Sequence, residues 1–333
     1  MMPPAERNDR NASRPPAFAV FNSPEEWTAR LGAERKRTAV TIGNFDGVHL
    51  GHRRILRGVI ERSLETDTLS TVLTFFPHPA RILRPELAPP LLMTLPQRLE
   101  AFCESGVDAT LVLRFDAELA KVSAEDFVQR LLVDALRARA VMVGGNFRFG
   151  HKQTGDVNLL EELGRRWDFE VQVVPPVVQE GVVVSSTAVR EAVREGRMDL
   201  AAKLLGRRFA LAGEIQTGTG QGRKLVVPTL NLATEQECLP KNGVYATESV
   251  AGVKTYRSVT NIGVRPTFDG QRLAIESHLF DFSETLTSGP MEVCFWKRLR
   301  DERKFSGPEA LREQVLRDIS EAQAYFASLA QPR

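Results

Sequence analysis

Between about residue 38 and residue 174, short apolar segments alternate with amphipathic segments, and this alternation restricts the fold more than any other feature of the chain. Short apolar segments predict strands, and apolar residues spaced three or four apart in the intervening segments predict helices. Strands that alternate with helices form a parallel sheet covered on both faces, so we expect a doubly wound α/β domain with ligands beyond the carboxyl ends of its strands. The predicted strands are AVTIG (39–43), STVLTFF (70–76), TLVLRF (110–115), AVMVG (140–144) and FEVQVV (169–174).

The sequence pattern changes after Gly206. From there on, short segments rich in β-branched residues are separated by Gly and Pro. This pattern is typical of a small antiparallel β-barrel. Apolar residues at spacings of three to four, from Leu311 to Phe326, predict a final helix. The expected organisation is a disordered N-terminus over 1–17, a first domain over 18–190, linker helices over 191–206 and a second domain over 207–330.

The composition excludes several classes of protein. Lys and Arg total 44 and Asp and Glu total 42, so there is no basic excess and we expect no binding to nucleic acid. No apolar run approaches the roughly 18 residues of a membrane span, and we expect no membrane partner. Three widely separated cysteines, Cys103, Cys238 and Cys294, favour a reducing compartment, so we expect a cytoplasmic protein. The sequence indicates no oligomeric state.

The segment GNFDGVHLGH (43–52) follows the first predicted strand and enters a predicted helix. Gly43 and Gly47 allow the backbone to turn tightly, and a helix N-terminus attracts anions. His49 and His52 are three residues apart, so their rings share one side of the first helical turn. Two imidazoles there suit the stabilisation of a phosphate during its transition state. The alternatives are a capping loop whose histidines only satisfy hydrogen bonds, and a zinc pair, which would need a third ligand.

Two further segments carry candidate ligand-binding residues. In VGGNFRFGHKQTG (143–155), glycines and aromatics suit a wall against a flat ring, with Asn146 offering amide hydrogen bonds beside Phe147. The alternative is a loop with core phenylalanines. Ser186 and Thr187 open a short predicted helix with Arg190 one turn later, and hydroxyls, a helix N-terminus and a guanidinium together form an anion clamp. The alternative is an ordinary N-cap.

The β-rich half contains a second dense segment. Gly218, Gly220 and Gly222 stand at alternate positions and predict a flexible loop whose N–H groups wrap phosphate oxygens. Thr229 and Asn231 then supply a hydroxyl and an amide oxygen, which are suitable ligands for Mg²⁺. The alternative is a glycine-rich hairpin with a polar edge.

These segments resemble those of a known family. GNFDGVHLGH is similar to the H-x-G-H motif of nucleotidyltransferases and, more closely, to the G-x-F-D-G-x-H-x-G-H of bacterial bifunctional riboflavin kinase/FAD synthetases. The resemblance covers nearly the whole chain from about residue 18. The other similar segments, in order, are LTFFPHP (73–79), VGGNFRFGHKQTG (143–155), VSSTAVR (184–190), the segment ending in PTLN (228–231), LPKNGVYA (239–246), NIGVRPTF (261–268) and IESHLFDF (275–282).

The resemblance implies a nucleotidyltransferase domain followed by a β-barrel riboflavin kinase domain with a C-terminal helix. It implies that the second domain phosphorylates riboflavin to FMN with ATP, with Glu276 as general base, and that the first domain adenylylates FMN to FAD and pyrophosphate, with His49 and His52 as catalytic residues. Both steps are expected to need Mg²⁺. The expected ATP- and phosphate-binding residues are Gly43, Phe45, Gly47, Gly51, Ser186, Thr187, Arg190, Gly218, Gly220 and Gly222, and the expected flavin-binding residues are Asn146 and Phe147.

The chain departs from the kinase pattern of this family at three places. Val226 stands where the pattern has Gly, Leu230 stands where it has Ala, and LTSG (286–289) replaces a segment that usually contains L-Y-G. One alternative is therefore a chain in which only the FMN adenylyltransferase step is active. Another is a non-catalytic regulator that binds flavin or nucleotide.

Overall fold

The computed structural model of the chain describes residues 18–31, 36–216, 227–267, 270–283 and 286–330. The chain divides into two compact units. The first unit comprises Met1–Pro89 and Leu95–Val177, and the second comprises Pro90–Thr94 and Val178–Arg333. The short stretch Pro90–Thr94 therefore groups with the C-terminal half of the chain.

The first unit is built on a six-stranded sheet in the order β1-β4-β3-β2-β5-β6, and every pair of neighbouring strands is parallel. The α/β class with a parallel sheet is thus confirmed. The sequence analysis missed β1 because a three-residue strand is too short to show a period, so GNFDGVHLGH follows the second strand rather than the first. The strands are β1 (Ala19–Phe21), β2 (Thr38–Ile42), β3 (Leu69–Phe76), β4 (Ala109–Arg114), β5 (Ala138–Gly144) and β6 (Glu170–Val174).

Helices connect these strands, and their ends follow local capping chemistry. Ser123 Oγ accepts a hydrogen bond from Asp126 N at 3.0 Å, and Asp156 Oδ1 accepts one from Leu159 N at 3.0 Å. Such caps satisfy backbone donors that the first turn of a helix leaves free. The helices are α1 (Pro24–Leu31), α2 (Leu50–Glu65), α3 (Pro79–Leu83), α4 (Leu95–Ser105), α5 (Ala124–Phe127), which continues as a π-helix over Val128–Ala135, and α6 (Val157–Trp167).

The second unit contains a closed six-stranded antiparallel barrel in the order β10-β13-β12-β11-β14-β9, as the sequence predicts. A small hairpin and two helices precede the barrel, and a long helix follows it. The elements are β7 (Val178–Gln179), β8 (Val182–Val183), α7 (Ser186–Arg194), α8 (Met198–Leu205), β9 (Phe209–Gln216), β10 (Leu230–Ala233), β11 (Gly243–Ala251), β12 (Lys254–Thr267), β13 (Gly270–Leu279), β14 (Pro290–Arg300) and α9 (Pro308–Ala330). Within the described ranges, no helix is long and apolar enough to cross a membrane.

The final helix covers one side of the barrel. Ala322 and Phe326 of α9 pack on Val244, Ala246 and Val259 of the barrel wall, and all five side chains are buried. The apolar spacing that predicts the helix therefore also identifies the face by which it binds the barrel.

Part of the barrel interior is polar. Thr247 Oγ1 lies 2.8 Å from Ser258 Oγ and 2.7 Å from Thr260 Oγ1, and Thr260 Oγ1 lies 2.8 Å from Ser277 Oγ. All four side chains are fully buried, so each hydroxyl replaces its lost water with a neighbour. Since successive strand residues point to opposite faces, the inward position of Ser277 directs Glu276 outward.

Candidate functional site

The histidine pair lies at the beginning of α2 in the first unit. His49 is the N-cap, and its Nδ1 accepts a hydrogen bond from His52 N at 3.3 Å. The two rings stack with their centroids 3.6 Å apart and their planes 17° from parallel. His49 is 6% exposed and His52 is half-buried. Because Nδ1 of His49 accepts this bond, the proton of the neutral ring is on Nε2.

The loop before this helix has an unusual backbone. Phe45 has φ 50° and Val48 has φ 39°, a conformation that glycine tolerates but that costs other residues about 1–3 kcal/mol. Gly47 has φ 87°. At Gly43, an added Cβ would lie 3.2 Å from Cε2 of Phe45, so the absence of a side chain there leaves room for the phenyl ring. The loop is therefore strained, and its conformation depends on the packing around it.

The side chain of Phe45 is directed into the protein. Its ring is 2% exposed and meets the ring of His52 edge-on at 5.0 Å and the ring of Phe102 edge-on at 5.6 Å. The structure thus gives the Phe45 side chain a supporting contact to His52. Gly51, which is half-buried, lies in the first turn of α2 between the two histidines.

The segment that contains Asn146 and Phe147 follows β5, which neighbours β2 in the sheet. Both loops therefore leave the same edge of the sheet, as parallel strands require. Asn146 is exposed, whereas Phe147 is half-buried and stacks on Phe149 with centroids 5.4 Å apart. Gly150, with φ 72°, leaves no space for a Cβ, which would lie 2.5 Å from Cα of Ala124. The loop is consequently held tightly while the Asn146 amide stays accessible.

Ser186, Thr187 and Arg190 belong to α7 and therefore to the second unit. The capping role falls to Ser185, whose Oγ accepts a hydrogen bond from Ala188 N at 3.2 Å. Ser186 and Thr187 thus stand in the first turn without acting as the cap. Arg190 Nε donates to Pro90 O at 2.8 Å, which orients its guanidinium.

The segment 90–94 is attached to the barrel by several contacts within the second unit. Gln236 is buried, and its Nε2 donates to Leu92 O at 2.8 Å. Cys238 N donates to Leu91 O at 3.0 Å, and Leu91 N donates to Glu237 Oε2 at 3.0 Å. The carbonyl that orients Arg190 is therefore part of a well-anchored stretch of backbone.

In the barrel, Asn231 of β10 lies directly opposite Glu276 of β13, and Glu276 lies directly opposite Asn261 of β12. The three residues form a polar row across three strands, and all three are half-buried. Side chains directly opposite on neighbouring strands have Cβ atoms about 4.5–5.5 Å apart. The pairing thus brings the predicted general base beside one of the two predicted metal ligands.

Thr229, the other predicted metal ligand, is half-buried just before β10. His278 Nδ1 lies 2.8 Å from Pro228 O and, since a carbonyl only accepts, donates to it. This contact holds the segment that contains Thr229 against β13. Leu230, a departure from the family pattern, points inward opposite the buried Ser277 and so lies on the other face of the strand. Gly218, Gly220, Gly222 and Val226 lie outside the described residues.

The sequence analysis assigns no role to Arg98, Asn261 or His278. Arg98 of α4 is 3% exposed. It stands four positions before the buried Phe102 and so lies on the same face of the helix, which is the sequence signal that could have identified it as a buried charge. His278 follows Glu276 by two residues and so shares its strand face. Asn261 is visible only from the strand register, because nothing local to its sequence links it to Glu276.

Comparisons with known proteins give a family match for each half of the chain. Residues 32–188 match the FAD synthetase family and residues 205–326 match the riboflavin kinase family. The bifunctional riboflavin kinase/FMN adenylyltransferase of Escherichia coli K12 is 37% identical over 295 residues, which are 88% of this chain and 94% of that protein. The protein of the same name from Pseudomonas fluorescens is 39% identical over 301 residues, 90% of this chain and 96% of its own length.

A solved structure shares the fold over almost the whole chain. The crystal structure of a macrolide-efflux protein from Streptococcus pneumoniae superposes with a TM-score of 0.79 at 25% identity, and covers 92% of this chain and 98% of that one. The two family matches fall on the two halves of this chain, and the named relatives align across both halves. The chain therefore belongs to the family of bifunctional riboflavin kinase/FMN adenylyltransferases.

Proposed function

We propose that this bifunctional riboflavin kinase and FMN adenylyltransferase carries out its two reactions at separate sites. One site is built on His49 and His52 of the first unit, and the other on the Asn231–Glu276 pair of the barrel. The observation that carries the first assignment is the stacked histidine pair at the N-terminus of α2. The observation that carries the second is the register that places Asn231 opposite Glu276.

In the adenylyl transfer, a phosphate oxygen of FMN attacks the α-phosphorus of ATP. A P–O bond forms to give FAD, and the bond from the α-phosphorus to the bridging oxygen breaks, so pyrophosphate leaves with the electron pair. The substrate is the nucleophile, and the protein needs only to stabilise charge on the α-phosphate oxygens. The Nε2–H of His49, the ring of His52 and the N-terminus of α2 supply that stabilisation.

Other residues of the proposal bind the substrates. Ser186, Thr187 and Arg190 bind phosphate oxygens. Their position in α7 and the bond from Arg190 Nε to Pro90 O, which orients the guanidinium, support this assignment. The accessible amide of Asn146, beside Phe147, binds the flavin ring. Gly43, Gly47 and Gly51 bring backbone close to ATP, and Gly218, Gly220 and Gly222 wrap phosphate in the kinase reaction.

In the kinase reaction, Glu276 accepts the proton of the ribityl 5′-hydroxyl of riboflavin. The hydroxyl oxygen then attacks the γ-phosphorus of ATP, the bond to the β,γ-bridging oxygen breaks, and FMN and ADP form. A carboxylate that is half-buried but reachable, on the outer face of the barrel, suits this role. Asn261 and Asn231 lie directly opposite Glu276 on the two neighbouring strands.

Kinases and adenylyltransferases of this kind generally use a divalent metal. Thr229 and Asn231 offer a hydroxyl and an amide carbonyl, and both residues are half-buried. Asn231 lies directly opposite Glu276, and these hard oxygen donors fit Mg²⁺. We assign these two residues as its protein ligands in the kinase site. Bound Mg²⁺ supplies neutralisation of phosphate charge, while Glu276 and the backbone position the hydroxyl.

The test measures both reactions in the same samples, with riboflavin or FMN supplied separately. His52→Ala should lower FAD formation by roughly 10²–10³-fold, the usual effect of removing one transition-state donor, and leave FMN formation unchanged. Glu276→Gln should lower FMN formation by roughly 10²–10⁴-fold and leave FMN adenylylation unchanged. Arg165→Ala, which changes an exposed residue of α6 in the first unit, is the control and should leave both rates unchanged.

Three outcomes would contradict the proposal. Loss of both activities from either folded variant would show that the sites are not separate. Conversion of FMN to FAD without any phosphorylation of riboflavin would show that only one step is active. Tight binding of flavin and ATP without turnover would identify a regulator.

A further inference from the structure

The loop that precedes the histidine pair is supported by a buried cation. Arg98 of α4 is 3% exposed, and its Nη1 donates to Asn44 O at 2.6 Å. The same Nη1 lies 3.4 Å from Thr74 Oγ1, and Nη2 lies 3.5 Å from Phe75 O. Arg98 thus contacts the segment after β2 and the end of β3, the two places from which the GNFDGVHLGH and LTFFPHP segments continue.

Burying a guanidinium in this way is costly, because it loses its water. Burial holds the pKa of Arg98 below its ordinary value, and the nearby charge of the buried Asp46 opposes this only in part. The hydrogen-bond partners found for Arg98 are neutral oxygens, and its buried Nε has no partner among the described residues. An apolar side chain of similar volume would fill this position with a smaller desolvation penalty. Stability alone therefore does not explain why an arginine contacts the loop.

A chain of ring contacts leads from the same helix to the histidines. Phe102, one turn after Arg98, meets the Phe45 ring edge-on at 5.6 Å. Phe45 meets the His52 ring edge-on at 5.0 Å, and the His52 ring stacks on that of His49. Helix α4 therefore holds the loop at two points, the carbonyl of Asn44 and the ring of the next residue, Phe45.

Phe45 adopts a left-handed backbone, so the loop keeps its conformation only where neighbours impose it. We propose that Arg98 is a positioning residue for adenylyl transfer, which holds the Asn44–Phe45 backbone so that the Phe45 ring fixes the orientation of the two imidazoles. This inference rests on the proposed function of the histidine pair. It assigns Arg98 no contact with substrate.

The test compares Arg98→Met and Arg98→Lys with Arg57→Met, which changes an exposed arginine of α2. Arg98→Met should lower kcat for FAD formation by on the order of 10²-fold, the effect of a displacement near 1 Å in a site of this kind. The KM values for FMN and ATP should stay within about threefold, because Arg98 acts through orientation and not through binding. Arg98→Lys, which keeps a donor for Asn44 O, should recover part of the loss, and Arg57→Met should behave as the parent protein.

The imidazole ¹⁵N resonances report the tautomer and environment of each ring and so respond when the rings are displaced. The chain has five histidines, so the spectrum is simple. The resonances of His49 and His52 should shift in both Arg98 variants and stay in place in Arg57→Met. The rate of FMN formation in the same samples reports the second unit and should not change. If Arg98→Met does not fold, Arg98→Lys is judged by the same measurements.

Parent-like kcat for FAD formation in folded Arg98→Met, or in Arg98→Lys where Arg98→Met does not fold, would overturn the inference. So would a loss of FAD formation with unchanged His49 and His52 resonances, or an equal loss of both activities. His52→Ala in the same assay separates the two levels of the argument. Full FAD formation by His52→Ala would refute the histidine site itself, whereas its loss, together with full activity of Arg98→Met, would refute only the role of Arg98.

Discussion

Replacing Gln236 with leucine tests how the segment 90–94 is held in the second unit. Gln236 Oε1 accepts from Ala212 N at 2.8 Å, and its Nε2 donates to Leu92 O at 2.8 Å and to Ala210 O at 3.1 Å. Leucine has a similar volume but removes all three bonds. At about 1 kcal/mol for each backbone group left without its partner, the free energy of unfolding should fall by about 3 kcal/mol.

For a unit of this size, a loss of that magnitude lowers the melting temperature by roughly 6–12 °C. Calorimetry of the full chain should show the shift in the transition of the second unit. Gln323→Leu, an exposed glutamine of α9 in the same unit, is the matched control and should change the stability by less than about 0.5 kcal/mol. A shift for Gln236→Leu no larger than that of the control would refute the reasoning that these hydrogen bonds anchor the segment.

Two other substitutions test the anchoring of helices. Asp318 is 3% exposed and accepts two hydrogen bonds from Arg300, of 2.8 and 2.6 Å. Asp318→Asn should therefore lower the free energy of unfolding, measured in urea, by about 3–5 kcal/mol. The control Glu313→Gln alters the exposed pair with Arg317 and should lower it by at most about 1 kcal/mol. Similar losses from both would contradict the assignment. The hydrogen bond from the backbone N–H of Leu159 lowers the pKa of Asp156, and the charge of Arg148 lowers it further by a smaller amount. The ionised cap therefore stabilises the fold at every pH above the ordinary carboxyl pKa. This stabilisation is lost as the pH falls through the lowered pKa of the folded state. The difference in urea midpoint between Asp156→Ala and the parent should therefore be largest near pH 7 and vanish in strong acid, and a constant difference would be inconsistent with this cause.

Most of the fold could be predicted from local patterns. The strands from β2 to β6 and the helices between them have periods that are complete within one segment, and Gly106 ends α4 with φ 87° as its position suggests. The strand β1 and the hairpin β7–β8 were not predicted, because two or three residues contain no period. The attachment of 90–94 to the barrel was not predicted either, since Leu92 and its partner Gln236 are separated by 144 positions.

Some features of the candidate site could likewise be predicted from local sequence, and others could not. The stacking of His49 on His52 follows from three-residue spacing in one helical turn, which is visible in the sequence. The burial of the Phe45 ring is not visible there, and the sequence alone does not separate a ligand-binding aromatic from a supporting one. Arg98 reaches the loop from another helix, and no spacing within either segment connects it with Asn44.

The order of residues along the chain determined where helices and strands form and which residues share a helical turn, because these properties depend on neighbours within a few positions. Tertiary structure decided which strand lies beside which, that Asn231 faces Glu276, and that Arg98 is enclosed beneath the histidine loop. Those outcomes depend on contacts between distant segments. Their free energy comes from burial and from hydrogen bonds that exist only once the segments are packed together.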